Sequence, residues 1–293
     1  MMATNEVPVP GRQVPGIHHR RVGDILVTAI SDGFLDGSLA ALQNIEEDEA
    51  GRLLREAFRP SAGRRTSVNT FLIRSGGRAC LVDTGCGRTL QSSAGRVFDN
   101  LDAAGVSAAV IDTILLTHMH PDHSNGLSDP SGTALFPNAE ICLHEAELGY
   151  WTADQNAGTE DYFDTARQQL APYRDRLRAF ASEVEVFPGV TSVPLPGHTP
   201  GHTGYLIASG GQTLLIWGDI VHAPEIQVPR PDVTLAFDVD PVLAEATRRR
   251  MFDRVASERL AFTGMHLHFP GWSHLTTGDG SYRLVPDAWS HDL

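Results

Sequence analysis

The stretch "LLTHMHPDHSNGL" (Leu115 to Leu127) sets His118, His120, Asp122 and His123 within six residues, directly behind an apolar run. Imidazole and carboxylate are both ligands for divalent cations. In extended backbone His118 and His120 point to the same side, because side chains alternate along a strand. The turn that follows can swing Asp122 and His123 toward a second point. A structural role for four such residues in one short turn would cost desolvation without evident gain, whereas a bound cation offsets that cost. Three more residues of the same types fall just beyond apolar runs elsewhere: His198 in "PLPGHTPGH", Asp219 after "LLIWG" and His266 after "LAFTGM". Five imidazoles and two carboxylates exceed the four ligands of one tetrahedral zinc ion. They suit two cations about 3.5–4 Å apart that share a bridging carboxylate and a bridging hydroxide. Such a pair lowers the pKa of bound water toward about 7 and polarises a carbonyl or phosphoryl oxygen, so hydrolysis is the expected reaction. Zinc is the expected ion, and manganese, iron and cobalt accept the same donors. Asp122, Asp219 or water would protonate the leaving group.

These residues need strand ends to present them. "DILVTAISDG" (Asp24 to Gly33), "SVNTFLIRSGG" (Ser67 to Gly77) and "ACLVDTGCG" (Ala79 to Gly87) are short β-rich runs closed by turn residues, two of them paired as a hairpin. "EEDEAGRLLREAF" has apolar residues at helical spacing behind initial acids, and "AGRVFDNLDAAGV" reads as a second helix ending at Gly105. "IDTILLT" is then the strand that delivers the histidines. The second half repeats the pattern with "EICLHEAE", a helical, aromatic-bearing segment from about Tyr162 to Phe180, "TLLIWGD", "PVLAEATRRRMFDRVA" and "LAFTGMHLHFPG". Met1 to Gly16 is a Pro/Gly-punctuated arm, extended over a surface or a neighbouring subunit. In the absence of a long linker, residues 17–293 are expected to form one domain of two similar β/α halves.

Composition narrows the partners. A formal net charge of −13, with no basic cluster beyond Arg248 to Arg250, would repel a phosphate backbone, so nucleic acid is not expected. The start lacks a cationic region followed by an apolar one, and no stretch approaches the roughly 18 apolar residues of a membrane span. Cys80, Cys86 and Cys142 are odd in number and lack CxxC spacing, which indicates neither a disulfide framework nor a thiolate zinc site. A reducing cytoplasm fits best. Cys86 is expected to be a small buried residue, since a metal-activated water makes a cysteine nucleophile unnecessary.

"HMHPDH" fits the HxHxDH signature, and the chain resembles the metallo-β-lactamase-fold hydrolases, whose other motifs follow in the same order: "DTG" at Asp83 to Gly85, the His198 loop, Gly218–Asp219 and His266. The resemblance runs from about Asp24 to Leu284. It is closer to methyl parathion hydrolase and its lactonase relatives, through "THMHPDH", "FPNA" (Phe136 to Ala139), "GHTPGHT" and "HLHFPG". The resemblance implies an α/β four-layer αβ/βα sandwich. It implies that His118, His120 and His198 hold one metal, that Asp122, His123 and His266 hold the other, and that Asp219 bridges them. Asp83 would then support a ligating histidine from behind. His202 is either such a support or loop scaffolding, and His268 either a support or an alternative to His266. His18, His19, His144 and His291 are expected to be ordinary surface or hydrogen-bonded residues.

Cysteine commonly stands at the Asp219 position in the zinc β-lactamases, flavodiiron enzymes carry a further domain, and nucleases sit poorly with the charge. Small lactones, aryl esters and organophosphates remain as substrates. Trp151, Phe163, His222, Leu235 and Phe237 are candidates for the pocket wall. His222 stands where methyl parathion hydrolase has an aliphatic residue, and Leu235 and Phe237 resemble the lactonases, which argues against efficient phosphotriester hydrolysis. The expected function is therefore a dinuclear lactonase or aryl esterase, with organophosphates as side substrates and a dimer as the preferred assembly. A phosphotriesterase, a thioester hydrolase, an oxidoreductase or sulfur-transfer enzyme of the same fold, and a non-catalytic metal-binding protein are the alternatives.

Overall fold

The computed structural model describes residues 9–11, 13–156, 158 and 161–293. The arm expected over Met1 to Gly16 lies largely outside the described residues. Its described members Val9 and Val14 are exposed.

The first half contains β1 (Ile17–Val22), β2 (Ile25–Gly37), the two-residue β3 (Leu42–Gln43), β4 (Arg64–Ser75), β5 (Arg78–Val82), β6 (Thr113–Leu115), β7 (Glu140–His144) and β8 (Leu177–Phe180). All but β3 form one sheet in the order β1-β2-β4-β5-β6-β7-β8. The second half contains β9 (Glu185–Phe187), β10 (Val190–Pro194), β11 (Thr203–Ser209), β12 (Gln212–Ile216), β13 (Thr234–Leu235), β14 (Phe262–Thr263), β15 (Ser273–Gly278) and β16 (Ser281–Pro286). Its sheet runs β16-β15-β14-β12-β11-β10-β9, and β13 pairs with β3 in a small ribbon. The helices are α1 (Glu47–Glu56), α2 (Val97–Ala103), α3 (Pro121–Ser124), α4 (Glu145–Thr152), α5 (Asp161–Leu170), α6 (Pro224–Gln227) and α7 (Pro241–Ser257). Among the described residues no helix is long and apolar enough to cross a membrane.

Alternation along the strands builds the layers. On β4, Phe71 and Ile73 join Val82, Leu115, Tyr205, Ile207 and Ile216 in a core between the two sheets. Leu72, one residue away, points to the opposite face and packs with Leu81, Ile114 and the helical residues Leu101, Trp151 and Phe163. On the far side of the second sheet, Leu215 and Phe262 meet Met251, Phe252 and Val255 of α7. The result is helix, sheet, sheet, helix, the four-layer sandwich expected. β4 and β5 are the expected hairpin, closed by Gly76 and Gly77, whose positive φ values of 58° and 75° fit the tight two-residue turns that match strand twist.

The strand pairs β5/β6, β6/β7 and β7/β8 are parallel, as is β12/β14. Parallel neighbours send their carboxyl ends to the same edge, which is where ligand sites form in such sheets. The segment expected to be helical from Tyr162 to Phe180 is only partly so. Helix α5 stops at Leu170, a 3-10 turn spans Ala171–Arg176, and Leu177–Phe180 is the edge strand β8. Pro172, which lacks an N–H and crowds the preceding turn, accounts for the break. "EICLHEAE" also divides, because the His144 ring accepts a hydrogen bond from Ala146 N at 3.1 Å and caps α4. Cys80, Cys86 and Cys142 are buried free thiols.

Of the three arginines that make up the "RRR" cluster, Arg248 is buried. It donates to Ile220 O (2.7 Å), Pro231 O (2.8 Å) and Val233 O (2.9 Å), and so ties α7 to the segment that follows Asp219. Each buried carbonyl left without a donor costs about 1–3 kcal/mol. Arg248→Met should therefore destabilise the metal-free protein by roughly 2–4 kcal/mol in urea unfolding, while the exposed neighbour variant Arg249→Met should cost less than about 0.5 kcal/mol. Equal effects would contradict this assignment.

Candidate metal centre

The seven sequence candidates converge on one edge of the two sheets. His118, His120, Asp122 and His123 follow β6 and start α3, His198 lies between β10 and β11, Asp219 follows β12, and His266 follows β14. Nitrogen or oxygen atoms of His118, His120 and His198 lie within 4.8 Å of one another, and so do those of Asp122, His123 and His266. Between the two groups sits Asp219, whose Oδ2 is 3.6 Å from His118 Nε2, 3.2 Å from His123 Nε2, 3.4 Å from His198 Nε2 and 3.0 Å from His266 Nε2. Asp122 Oδ2 is 3.5 Å from both His123 Nε2 and His266 Nε2.

The outer nitrogen of each ring decides what the inner one can do. Thr117 donates its hydroxyl to Asp83 Oδ2 (2.7 Å), so His118 Nδ1, 3.0 Å from that hydroxyl, is the donor of the pair. His123 Nδ1 donates to Asp83 Oδ2 (2.8 Å), His198 Nδ1 to Asp238 Oδ1 (2.7 Å) and His266 Nδ1 to Ser67 O (2.8 Å). In each case the remaining Nε2 presents a lone pair to the centre, the arrangement that orients histidine ligands. His120 is turned differently, with Nδ1 2.9 Å from His198 Nε2. Asp83 therefore serves two rings from behind, and its backbone, at φ 58°, is in a region that non-glycine residues seldom occupy and that is common beside functional sites. His202 is scaffolding: Nδ1 donates to Leu195 O (2.8 Å) and Nε2 accepts from Asp219 N (2.9 Å), leaving neither nitrogen for a ligand. His268 faces away, with Nε2 2.5 Å from Glu225 Oε1.

Several polar atoms at the centre are buried without a hydrogen-bond partner, namely His118 Nε2, His123 Nε2, Asp219 Oδ1 and both ring nitrogens of His222. Buried polar groups are normally satisfied, and lone pairs from imidazole and carboxylate converging on one point suit divalent cations of the zinc type. The donor set fits two such ions. The charges agree. Burial alone would raise the pKa of Asp122 and Asp219, but the adjacent His123 and His266 hold both carboxyls below their usual range. Burial likewise opposes the charged form of His123 and His266, yet Asp219 and Asp122 pull both imidazoles upward.

These groups open into a cavity of about 360 Å³. Of the sequence candidates Trp151 and Phe237 line it, together with Arg64, Tyr150 and Tyr162, which sequence reasoning missed. Phe237 is 39% exposed at the wall, whereas Phe163 and Leu235 are buried and do not line this cavity. Phe163 packs behind Trp151 at a centroid distance of 5.0 Å, and Leu235 is held by the β13–β3 ribbon. Large apolar residues fill the nearest core first, which corrects those two expectations. His222 lines the cavity too, but at its base and not at its mouth. Its ring stacks on His266 (4.8 Å between centroids) with Nε2 3.0 Å from Asp219 Oδ2. Burial and the neighbouring histidines lower its pKa to about 3, so the ring is neutral at pH 7. His198, Asp219 and His222 form a further set of close donors. Asp238 was also missed: it is one acidic residue among many in sequence, and only the fold brings it to His198.

A profile of the metallo-beta-lactamase superfamily matches residues 63–261. The chain belongs to the metallo-beta-lactamase superfamily. Among solved structures it is similar to the hydrolase AbOPH, with a TM-score of 0.89 and 32% identity over 95% of this chain and 100% of that one. It is also similar to AidC, a dizinc quorum-quenching lactonase with its product N-hexanoyl-L-homoserine, with a TM-score of 0.89 and 25% identity over 94% and 99% of the two chains. It is 42% identical over 164 residues, 55% of this chain, to the beta-lactamase-like protein 2 homolog of Drosophila melanogaster, and spans 49% of that protein's length.

Asp219 and His291 provide a contrast, because the second is 88% exposed in the C-terminal segment and touches none of these groups. Asp219→Ala should lower turnover more than about a hundredfold and reduce metal content, whereas His291→Ala should change neither. Small, equal effects measured by elemental analysis and kinetics would mean that the centre lies elsewhere.

Proposed function

We propose that this chain is a dinuclear metal-dependent hydrolase of lactones or aryl esters. The observation that carries the reading is the pair of donor groups, His118/His120/His198 and Asp122/His123/His266, that share Asp219 Oδ2 and face one small cavity. Those residues would hold two divalent cations, zinc by preference, with Asp219 between them. When bound, the cations supply acidified water and polarise the scissile carbonyl.

The chain's own residues do the rest. Asp122, with its side chain 19% exposed against 2% for Asp219, is the carboxylate more open to the cavity. Ionised at neutral pH, it can take a proton from the attacking water and return it to the departing ring or phenol oxygen. His222, neutral at pH 7, braces Asp219 with Nε2 3.0 Å from its Oδ2. Trp151, Tyr162 and Phe237 give the cavity aromatic walls that suit a flat ring. AidC supports the lactone reading as a dizinc lactonase of similar fold. The resemblance of "THMHPDH" and "GHTPGHT" to methyl parathion hydrolase keeps phosphotriesters as side substrates.

The test is a matched panel on one zinc-loaded preparation. Dihydrocoumarin should exceed a methyl-parathion-like triester in kcat/KM by at least about a hundredfold, roughly 2.7 kcal/mol, and chelation should abolish both activities. A preference for the triester would overturn the lactonase assignment, and full activity in metal-free protein would overturn the hydrolytic centre itself.

Because His222 stands beside Asp219 at the cavity base, His222→Leu should reduce lactone and triester turnover together, by about tenfold or more. A rise in triester turnover with lactone turnover kept would instead identify His222 as a specificity gate.

A further inference from the structure

The carboxylate of Glu147 lies outside both donor groups and is fully buried. It stands on the first turn of α4, and its two oxygens divide between two loops. Oε1 accepts from Met119 N (3.0 Å) and from Trp151 Nε1, while Oε2 accepts from Thr199 Oγ1 (2.6 Å) and Gly201 N (3.0 Å). Met119 is the residue between His118 and His120, and Thr199 is the residue after His198. One side chain therefore joins the two segments that carry the whole of the first donor group, although they are some eighty residues apart in sequence.

The packing around it supports a purpose-built contact. A Cβ on Gly201 would lie 2.3 Å from Glu147 N and 2.6 Å from its Cβ, so only glycine lets the His198 loop come this close to α4. Trp151, which gives its indole N–H to Glu147, meets the His120 ring edge-on at a centroid distance of 5.4 Å. Three of the four partners are N–H groups, which can only donate, so both carboxylate oxygens are used as acceptors. Among the described residues no arginine or histidine donates to it, and its contacts reach only the segments of the first donor group, whereas Asp83 reaches both groups, His123 directly and His118 through Thr117.

We propose that Glu147 is a positioning residue that clasps the His118–His120 segment to the His198 loop and so presets the first metal site alone. This rests on the two-metal reading above. Glutamine at this place turns one acceptor into a donor that faces N–H or O–H groups, and the loops separate by the width of a lost hydrogen bond. Loss of such a supporting contact typically costs about 10–100-fold in metal affinity.

The experiment titrates Zn(II) into metal-free wild type, Glu147→Gln and Thr199→Val against a chelating indicator, each also in a His266→Ala background that leaves only the first group intact. The Co(II) visible spectrum of each single-site protein gives a second readout. Glu147→Gln should weaken the first site by about 10–100-fold and shift its cobalt bands, Thr199→Val should do so by a few-fold, and the second ion should bind as in wild type. Equal weakening of both ions, or lower thermal stability with unchanged affinity and spectrum, would reduce Glu147 to a general packing residue and overturn the proposal. Thr199→Val carries the comparison if Glu147→Gln does not fold. Wild type that takes up no zinc would refute the two-metal reading; wild type binding two ions with unaltered variants would refute only the clasp.

Discussion

Everything at the centre depends on one buried oxygen. Asp219 Oδ2 has four imidazole nitrogens of the two donor groups within 3.6 Å and His222 beside them at 3.0 Å. Such crowding is tolerable only if positive charge is supplied, because an unpaired buried carboxylate and a set of desolvated lone pairs each cost free energy. The rings cannot rotate away to relieve it, since Thr117, Asp83, Asp238 and Ser67 O hold their far nitrogens. Fixed outside and unsatisfied inside, the cluster is preorganised for cations.

The fold serves this constraint through its strand directions. The parallel β5, β6 and β12, β14 deliver Asp83, the HxHxDH turn, Asp219 and His266 to a single edge, and the intersheet core of Phe71, Ile73, Tyr205 and Ile216 keeps the two halves in register. Asp219 is fastened from both sides: His202 accepts its backbone N–H, while Arg248 gathers the carbonyls of Ile220, Pro231 and Val233 behind it.

The ligand-type residues and the strands before them were legible because polar residues directly after apolar runs break a pattern, and the break marks a strand end. The groups that orient those residues were less so. Asp83 stood out within "DTG", but Asp238 and Glu147 look like any other acids until the chain folds, their partners being 40 and 52 residues away in sequence. Apolar residues misled in the opposite direction: Phe163 and Leu235 have the character of pocket walls and the position of core. Helix and strand were confused where Pro172 cuts a run of helical spacing and the chain continues as the edge strand β8. The "RRR" cluster entered the sequence reading only as a basic cluster, yet Arg248 points inward, where it donates to three backbone carbonyls.

The outer wall of the cavity comes largely from segments other than those that carry the donors. Arg64 stands at the start of β4, Tyr150 and Tyr162 belong to α4 and α5, and Phe237 follows β13, whereas the donors follow β6, β10, β12 and β14. A substitution in the first set alters the shape and polarity of the cavity while the inner nitrogens keep their tethers. Much of the cavity's aromatic wall can therefore change without touching a donor, except on α4, where Trp151 also holds Glu147 and meets His120.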